Sequence, residues 1–132
     1  EHRQIPQLRE QHPDPIVEIN PKTARKYGIA DGQWVRLYNQ FGECYEKAHV
    51  CEIVDEKTVH AEHAWWFPEE EPSEPHLYGN WRSNINQLLP NFHFGKLGFG
   101  APNKCLICQI EPSEKSFDSD LDLIYEKFGK LV

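Results

Sequence analysis

Three things are scarce in this sequence, and each scarcity narrows what the chain can do. No apolar run approaches the ~20 residues of a membrane-spanning helix, and no signal-peptide pattern opens the chain, so membrane insertion is not expected. Basic residues are outnumbered, 14 Lys and Arg against 21 Asp and Glu, for a net charge of −7. Nucleic acid and anionic membrane both ask for a basic face, so neither is an expected partner, whereas an anionic small ligand needs only a few local donors. Catalytic signatures are also missing. No serine sits in a nucleophile elbow, no cysteine has an arranged histidine, and Gly95-Lys96-Leu97-Gly98-Phe99-Gly100 is glycine-rich without the strand and helix that a phosphate loop requires.

What remains is globular in composition, 39% hydrophobic and 27% charged, and of a size for one domain. Ten prolines and eight glycines ask for short elements joined by many turns. The chain starts at Glu1 without a methionine, which reads as a piece of something longer. Four cysteines, Cys44, Cys51, Cys105 and Cys108, include one CxxC, but it lies in an apolar run and has no second pair to complete a zinc site. Reduced thiols and a reducing compartment, the cytoplasm, are the expectation, with the periplasm as alternative if a parent enzyme is exported.

Residues 1 to 14, broken by Pro6 and Pro13, read as a surface strap. Ile16 to Ile19 is a short strand. Asn20-Pro21 starts a helix that ends at Gly28, with Asn20 as cap and proline in the first turn. Trp34 to Tyr38 and Glu43 to about Ile53 form a hairpin around Asn39-Gln40-Phe41-Gly42. The longer strand has no cleanly polar face, which suits a small barrel. Residues 67 to 103 show little regular structure but many aromatics, the pattern of a functional loop, and Glu69-Glu70-Glu71 reads as a solvated run. A strand over Cys105 to Ile110 follows. A helix capped by Ser119, with Leu121, Ile124, Tyr125 and Phe128 in one stripe, closes the chain.

The densest stretch is Val59-His60-Ala61-Glu62-His63-Ala64-Trp65-Trp66-Phe67-Pro68. In an extended chain Trp65 and Phe67 point one way and Trp66 the other, so at least one flat ring faces away from the core and offers a stacking surface. His60 and Glu62 share a face that His63 does not, which favours hydrogen-bonding roles over metal ligation. The amides of Ser83-Asn84-Ile85-Asn86 donate and accept at once, as a pterin or guanine edge demands. Lys104 adds a point charge suited to a phosphate or ring carbonyl.

The motifs Pro15-Ile16-Val17-Glu18-Ile19-Asn20-Pro21, Asp31-Gly32-Gln33-Trp34-Val35, the 59–69 stretch, Ser83 to Asn86 and a closing strand from Lys104 to Pro112 occur in that order. Over residues 1 to 113 this resembles the C-terminal molybdopterin dinucleotide-binding domain of the dimethyl sulfoxide reductase family, which includes formate dehydrogenases. The resemblance implies a mainly β fold, a double-psi β-barrel with short helices, over residues 1–113 and a C-terminal helical extension over 114–132. The family's Thr-Gly-Arg motif and first strand are not found here, so the barrel is expected to be incomplete or differently closed. The resemblance further implies bis-(molybdopterin guanine dinucleotide) carrying Mo or W as cofactor, the metal being held by other domains, and the remainder of a catalytic subunit as partner. Trp65, Trp66, His63, Asn86, Lys104 and Arg3 are the implied cofactor-binding residues, with no catalytic residue and no metal ligand in this chain. The competing readings are an accessory subunit that uses the same barrel to grip a partner chain, and a small autonomous enzyme.

Overall fold

The computed structural model describes residues 2–90 and 106–129, and its frame is a five-stranded sheet. The strands are β1 (Ile16–Ile19), β2 (Trp34–Tyr38), β3 (Glu43–Val50), β4 (Val59–Ala61) and β5 (Gln109–Pro112), in the order β4-β1-β3-β2-β5. Among the described residues only β1 and β3 pair in parallel; the β1–β4, β2–β3 and β2–β5 ladders are antiparallel. The fold is thus mainly β. Its helices are short: α1 (Pro6–Gln11), α2 (Pro21–Tyr27) and α3 (Leu121–Phe128), with two 3-10 turns at Leu77–Arg82 and Ile85–Leu88.

Local chemistry accounts for the elements that position the site. The Asn20 side chain accepts from the Lys22 N–H at 2.9 Å, Pro21 takes the first helical turn, and Gly28 ends α2 at φ +68°. The Asn39 carboxamide holds the β2–β3 turn by accepting from Phe41 N–H at 2.9 Å and donating to the Leu88 carbonyl at 2.9 Å. Gly42 lies so close to the second 3-10 turn that a Cβ there would stand 2.6 Å from the Gln87 carbonyl oxygen. The turn and residues 84–88 are therefore in direct backbone contact.

Pairing register puts Val17, Ile19, Val35, Leu37, Cys44, Ala48 and Ile110 on one face, where Ala24, Ile29 and Leu88 close over them as the core. Glu46 shares that face and is fully buried. The opposite face carries Trp34 and Tyr45, covered by the edge of Phe117 at ring separations of 5.5 and 5.3 Å. The segment after β5 is held there. Asp118 accepts from Trp34 Nε1 at 3.0 Å and from Lys47 Nζ at 2.6 Å, and these two donors, lysine first, lower its carboxyl pKa.

Four expectations need correction. Pro6 to Gln11 is a helix, because Pro6 occupies the first turn, where a missing N–H costs nothing. The long strand stops at Val50. The last strand is Gln109–Pro112, later than anticipated, with Leu106 to Cys108 outside it and Cys105 outside the described residues. α3 is capped by Asp120, which accepts from Leu123 N–H at 2.9 Å, because the Ser119 hydroxyl is engaged elsewhere. The apolar stripe of α3 holds: Ile124 is fully buried, and α3 packs on α1.

Candidate functional site

The stretch after β4 turns inward at Glu62. Its N–H donates to the Ile16 carbonyl at 3.2 Å and to Glu46 Oε2 at 3.0 Å. Its carboxylate accepts from Arg3 Nη2, lies 2.7 Å from His12 Nε2, and accepts from the Ile16 N–H at 3.3 Å. One side chain thereby ties the N-terminal strap to the sheet. His60 turns to Glu18 at 2.8 Å, and His63 is exposed.

Ala64 takes φ +58°, and the chain then delivers Trp65 into the interior at 1% exposure. The Arg3 guanidinium lies 3.8 Å from the centre of its ring and that of Arg9 4.7 Å, while the His12 ring meets it edge-on at 5.4 Å. From there guanidinium and aromatic groups alternate. Arg9 also lies over Phe67, Arg82 lies over Phe67 at 4.9 Å and over Phe117 at 4.5 Å. Each arginine has its own carboxylate: Arg3 has Glu62, Arg9 has Glu69 at 3.2 Å, and Arg82 holds both oxygens of Glu70. Attraction of a cation to a ring face is worth about 0.5–2 kcal/mol per contact, more as water is excluded. The column therefore links the strap, the 65–70 segment and the C-terminal segment.

The acidic run is not uniformly solvated. Glu69 is 6% exposed, and burial pushes its carboxyl pKa up despite Arg9; Glu70 is clamped by Arg82; only Glu71 is exposed. Burial likewise pulls the Arg9 guanidinium down, with Glu69 and Asp14 opposing. Glu46 is strongly perturbed by its burial. Desolvation raises its carboxyl pKa well above the ordinary range, the Glu62 N–H counteracts, and the Glu62 charge adds to the rise. The Cys44 thiol is pushed up by burial, then by Glu46. Cys44, Cys51 and Cys108 are free thiols.

Several enclosed polar atoms find no partner among the described residues: Arg3 Nε, Gln4 Oε1, Trp65 Nε1, Glu46 Oε1 and Glu69 Oε2. An orphaned buried group costs about 1–3 kcal/mol, so such a group points to a missing partner. Two donors and an acceptor of this set, Arg3 Nε, Trp65 Nε1 and Gln4 Oε1, belong to the strap and the ring it covers. Donors and acceptors of these kinds can pair with the edge of a planar heterocycle.

Trp66 and Asn86, also implied, have other surroundings. Trp66 is half-buried and meets the exposed Tyr78 edge-on at 5.4 Å; Trp81 is 51% exposed. The loop is closed by Phe67 N–H donating to the Tyr78 carbonyl at 2.8 Å and by Tyr78 N–H donating to that of Glu71 at 2.8 Å. Leu77 and Tyr78 sit at φ +45° and +58°, strain of the kind that collects at binding sites. Asn86 is exposed in the second 3-10 turn, with its N–H held by the Asn84 side chain at 3.1 Å. The structure therefore unites Arg3 with Trp65, separates Trp66 from them, and leaves Trp65 enclosed rather than open as a platform. Lys104 lies outside the described residues.

Sequence reasoning missed Arg9, Glu69, Arg82 and Phe117 of the column, and Ser119, which accepts from Arg9. Arg9 and Glu69 are 60 positions apart and Arg9 and Ser119 110, so no local spacing signals either pair.

The chain and its fold match known proteins. Residues 1–96 fit the family model described as the Molydopterin dinucleotide binding domain, and the chain belongs to that family. It is 42% identical over 92 residues to dopamine dehydroxylase from Eggerthella lenta, covering 70% of this chain and 9% of that protein. It is 35% identical over 75 residues to dimethylsulfide dehydrogenase subunit alpha from Rhodovulum sulfidophilum, covering 57% of this chain and 7% of that protein. Acetylene hydratase from Pelobacter acetylenicus shares the fold, with a TM-score of 0.72 at 23% identity over 80% of this chain and 15% of that one. The chain is thus a molybdopterin dinucleotide-binding domain with homologues in the dimethyl sulfoxide reductase family, and it spans under a tenth of the length of these two curated relatives.

Proposed function

We propose that this chain is the part of a larger molybdenum or tungsten oxidoreductase that covers a bis-(molybdopterin guanine dinucleotide) and lines the approach to it. In this reading the sheet belongs to a double-psi β-barrel. The observation that carries the proposal is that Arg3 Nε, Trp65 Nε1 and Gln4 Oε1 are buried polar atoms without partners among the described residues, two donors and an acceptor of the kinds a heterocyclic edge pairs with.

The cofactor, when bound, supplies redox chemistry at a metal that other domains hold. This chain's residues bind and orient. Arg3 and Trp65 Nε1 donate to ring carbonyls or phosphate, Gln4 accepts, and Asn86 reads an amide edge from the exposed turn. Trp66 presents a flat ring, His63 an exposed imidazole, and Lys104 a charge for phosphate. Closure of the strap over Trp65 keeps water from these donors and strengthens each contact.

The test is a titration of the full chain with guanosine diphosphate, followed through the Trp65 indole N–H and the Asn86 carboxamide by NMR. The reading expects both signals to move together and saturate at millimolar ligand or below, with adenosine diphosphate weaker. Shifts absent from both groups would remove Trp65 and Asn86 from the cofactor site.

A further inference from the structure

The side chain of Arg9 is fully buried, an arginine with no access to water inside a short helix. Four hydrogen bonds hold it. Nε donates to the Pro13 carbonyl at 2.6 Å, Nη1 to the Arg3 carbonyl at 3.4 Å, and Nη2 to Glu69 Oε1 at 3.2 Å and to Ser119 Oγ at 2.6 Å. Its guanidinium also lies over Trp65. The same group therefore grips the backbone of the residue that stacks on Trp65, the ring itself, and a hydroxyl from the far end of the chain.

Ser119 completes the arrangement. Its hydroxyl accepts from Arg9, contacts the Pro13 carbonyl and lies 3.0 Å from Asp14 Oδ1, and its N–H donates to Asp14 Oδ1 at 2.9 Å. Around it α3 is fastened to the strap and the acidic run: Lys127 Nζ donates to the Glu69 carbonyl, and the Tyr125 hydroxyl, hydrogen-bonded to Glu10, is raised in pKa by that carboxylate. Ser119 lies beyond residues 1–96, so this clasp is supplied by the part of the chain that the family match does not cover.

We infer that Arg9 and Ser119 are positioning residues: the Ser119 hydroxyl seats the Arg9 guanidinium, and Arg9 fixes the 2–12 strap so that Arg3 stands over Trp65. The affinity part of this inference rests on the proposed cofactor site; the geometric part does not. Preorganisation is the physical gain. With the strap held, Arg3 is already in its binding position, whereas a strap that samples other positions lowers apparent affinity by the fraction of time it is misplaced.

The test compares Ser119→Ala, Ser119→Thr and Arg9→Lys in the full chain, with guanosine diphosphate as probe. Three quantities are read: the Trp65 indole N–H resonance, assigned through Trp65→Phe; amide exchange in the strap against that in β2 and β3; and nucleotide Kd. Ser119→Ala is expected to shift the Trp65 resonance and to speed strap exchange by about tenfold while the sheet is unchanged. Kd should weaken by about fivefold, and Ser119→Thr, which keeps the hydroxyl, should restore all three. Arg9→Lys, which keeps the charge but loses the fork, should behave like Ser119→Ala. A Trp65 signal and strap exchange at wild-type values in Ser119→Ala, or exchange that rises equally in strap and sheet, would overturn the inference. If wild-type chain binds no nucleotide, the cofactor reading fails, and the first two measurements still decide whether the clasp positions Arg3.

Discussion

The guanidinium of Arg3 lies 3.8 Å from the ring centre of Trp65 while its Nη2 is paired with Glu62, three residues earlier. Sixty-odd residues of intervening chain return to place cation, ring and carboxylate together. The enclosed indole is thereby the hub of the strap, and the strap's position depends on it. Trp65→Ala should cost about 3–5 kcal/mol, the range for removing a large buried aromatic, and Trp65→Phe distinctly less. Equilibrium urea unfolding of the variants checks this.

Glu46 gives the chain a specific pH dependence. Its carboxyl is raised in the folded state by burial, so the unfolded chain releases that proton at lower pH than the folded one. Stability from this group is fully present below the unfolded glutamate pKa and is lost as pH rises towards the folded value. Glu46→Gln keeps an oxygen to accept the Glu62 N–H and removes the titration. Unfolding free energies measured from pH 4 to 8 should show the variant gaining on wild type as pH rises. A constant difference across that range would assign the effect to packing.

Gly79 is required twice over. Its φ is +63°, and a Cβ would stand 2.8 Å from both Phe67 Cδ2 and Glu70 Oε2, inside the column. Gly79→Ala should destabilise by about 1–3 kcal/mol. Because Arg82 holds Glu70 and lies over Phe67, the substitution should also change the near-ultraviolet circular dichroism, a signal that a mutation on the exposed Asp122 should leave alone.

Ile124 tests whether α3 is part of the same packed body. It is fully buried on a helix otherwise only partly covered. Ile124→Ala should cost about 2–5 kcal/mol if the helix is integral. Thermal unfolding should remain a single transition at lower temperature.

Elements governed by neighbours in sequence were legible in advance. The Asn20-Pro21 start and Gly28 end of α2, and the hairpin around Asn39 to Gly42, follow from one-residue stereochemistry, and the structure reproduces them. The apolar stripe of α3 was equally plain. Contacts across long separations were not. Glu69 looked solvated because two acids follow it, and only folding brings Arg9 to it; Ser119 looked like a helix cap, and only folding gives it Arg9 and Asp14 as stronger claimants. α1 was hidden by prolines read as breaks, although Pro6 sits where a helix tolerates one. Of the implied cofactor residues, Arg3 and Trp65 come together, whereas Trp66 is half-buried against Tyr78 and Asn86 is exposed in the second 3-10 turn.

The proposed engagement of a pterin–guanine dinucleotide by the strap and Trp65 is read out most simply by a fluorescence titration of the full chain with the dinucleotide released from a molybdenum enzyme, in wild type and Arg3→Ala. Saturable one-to-one quenching that weakens on loss of the Arg3 guanidinium is expected. Quenching identical in the two proteins, or none at millimolar ligand, would contradict it.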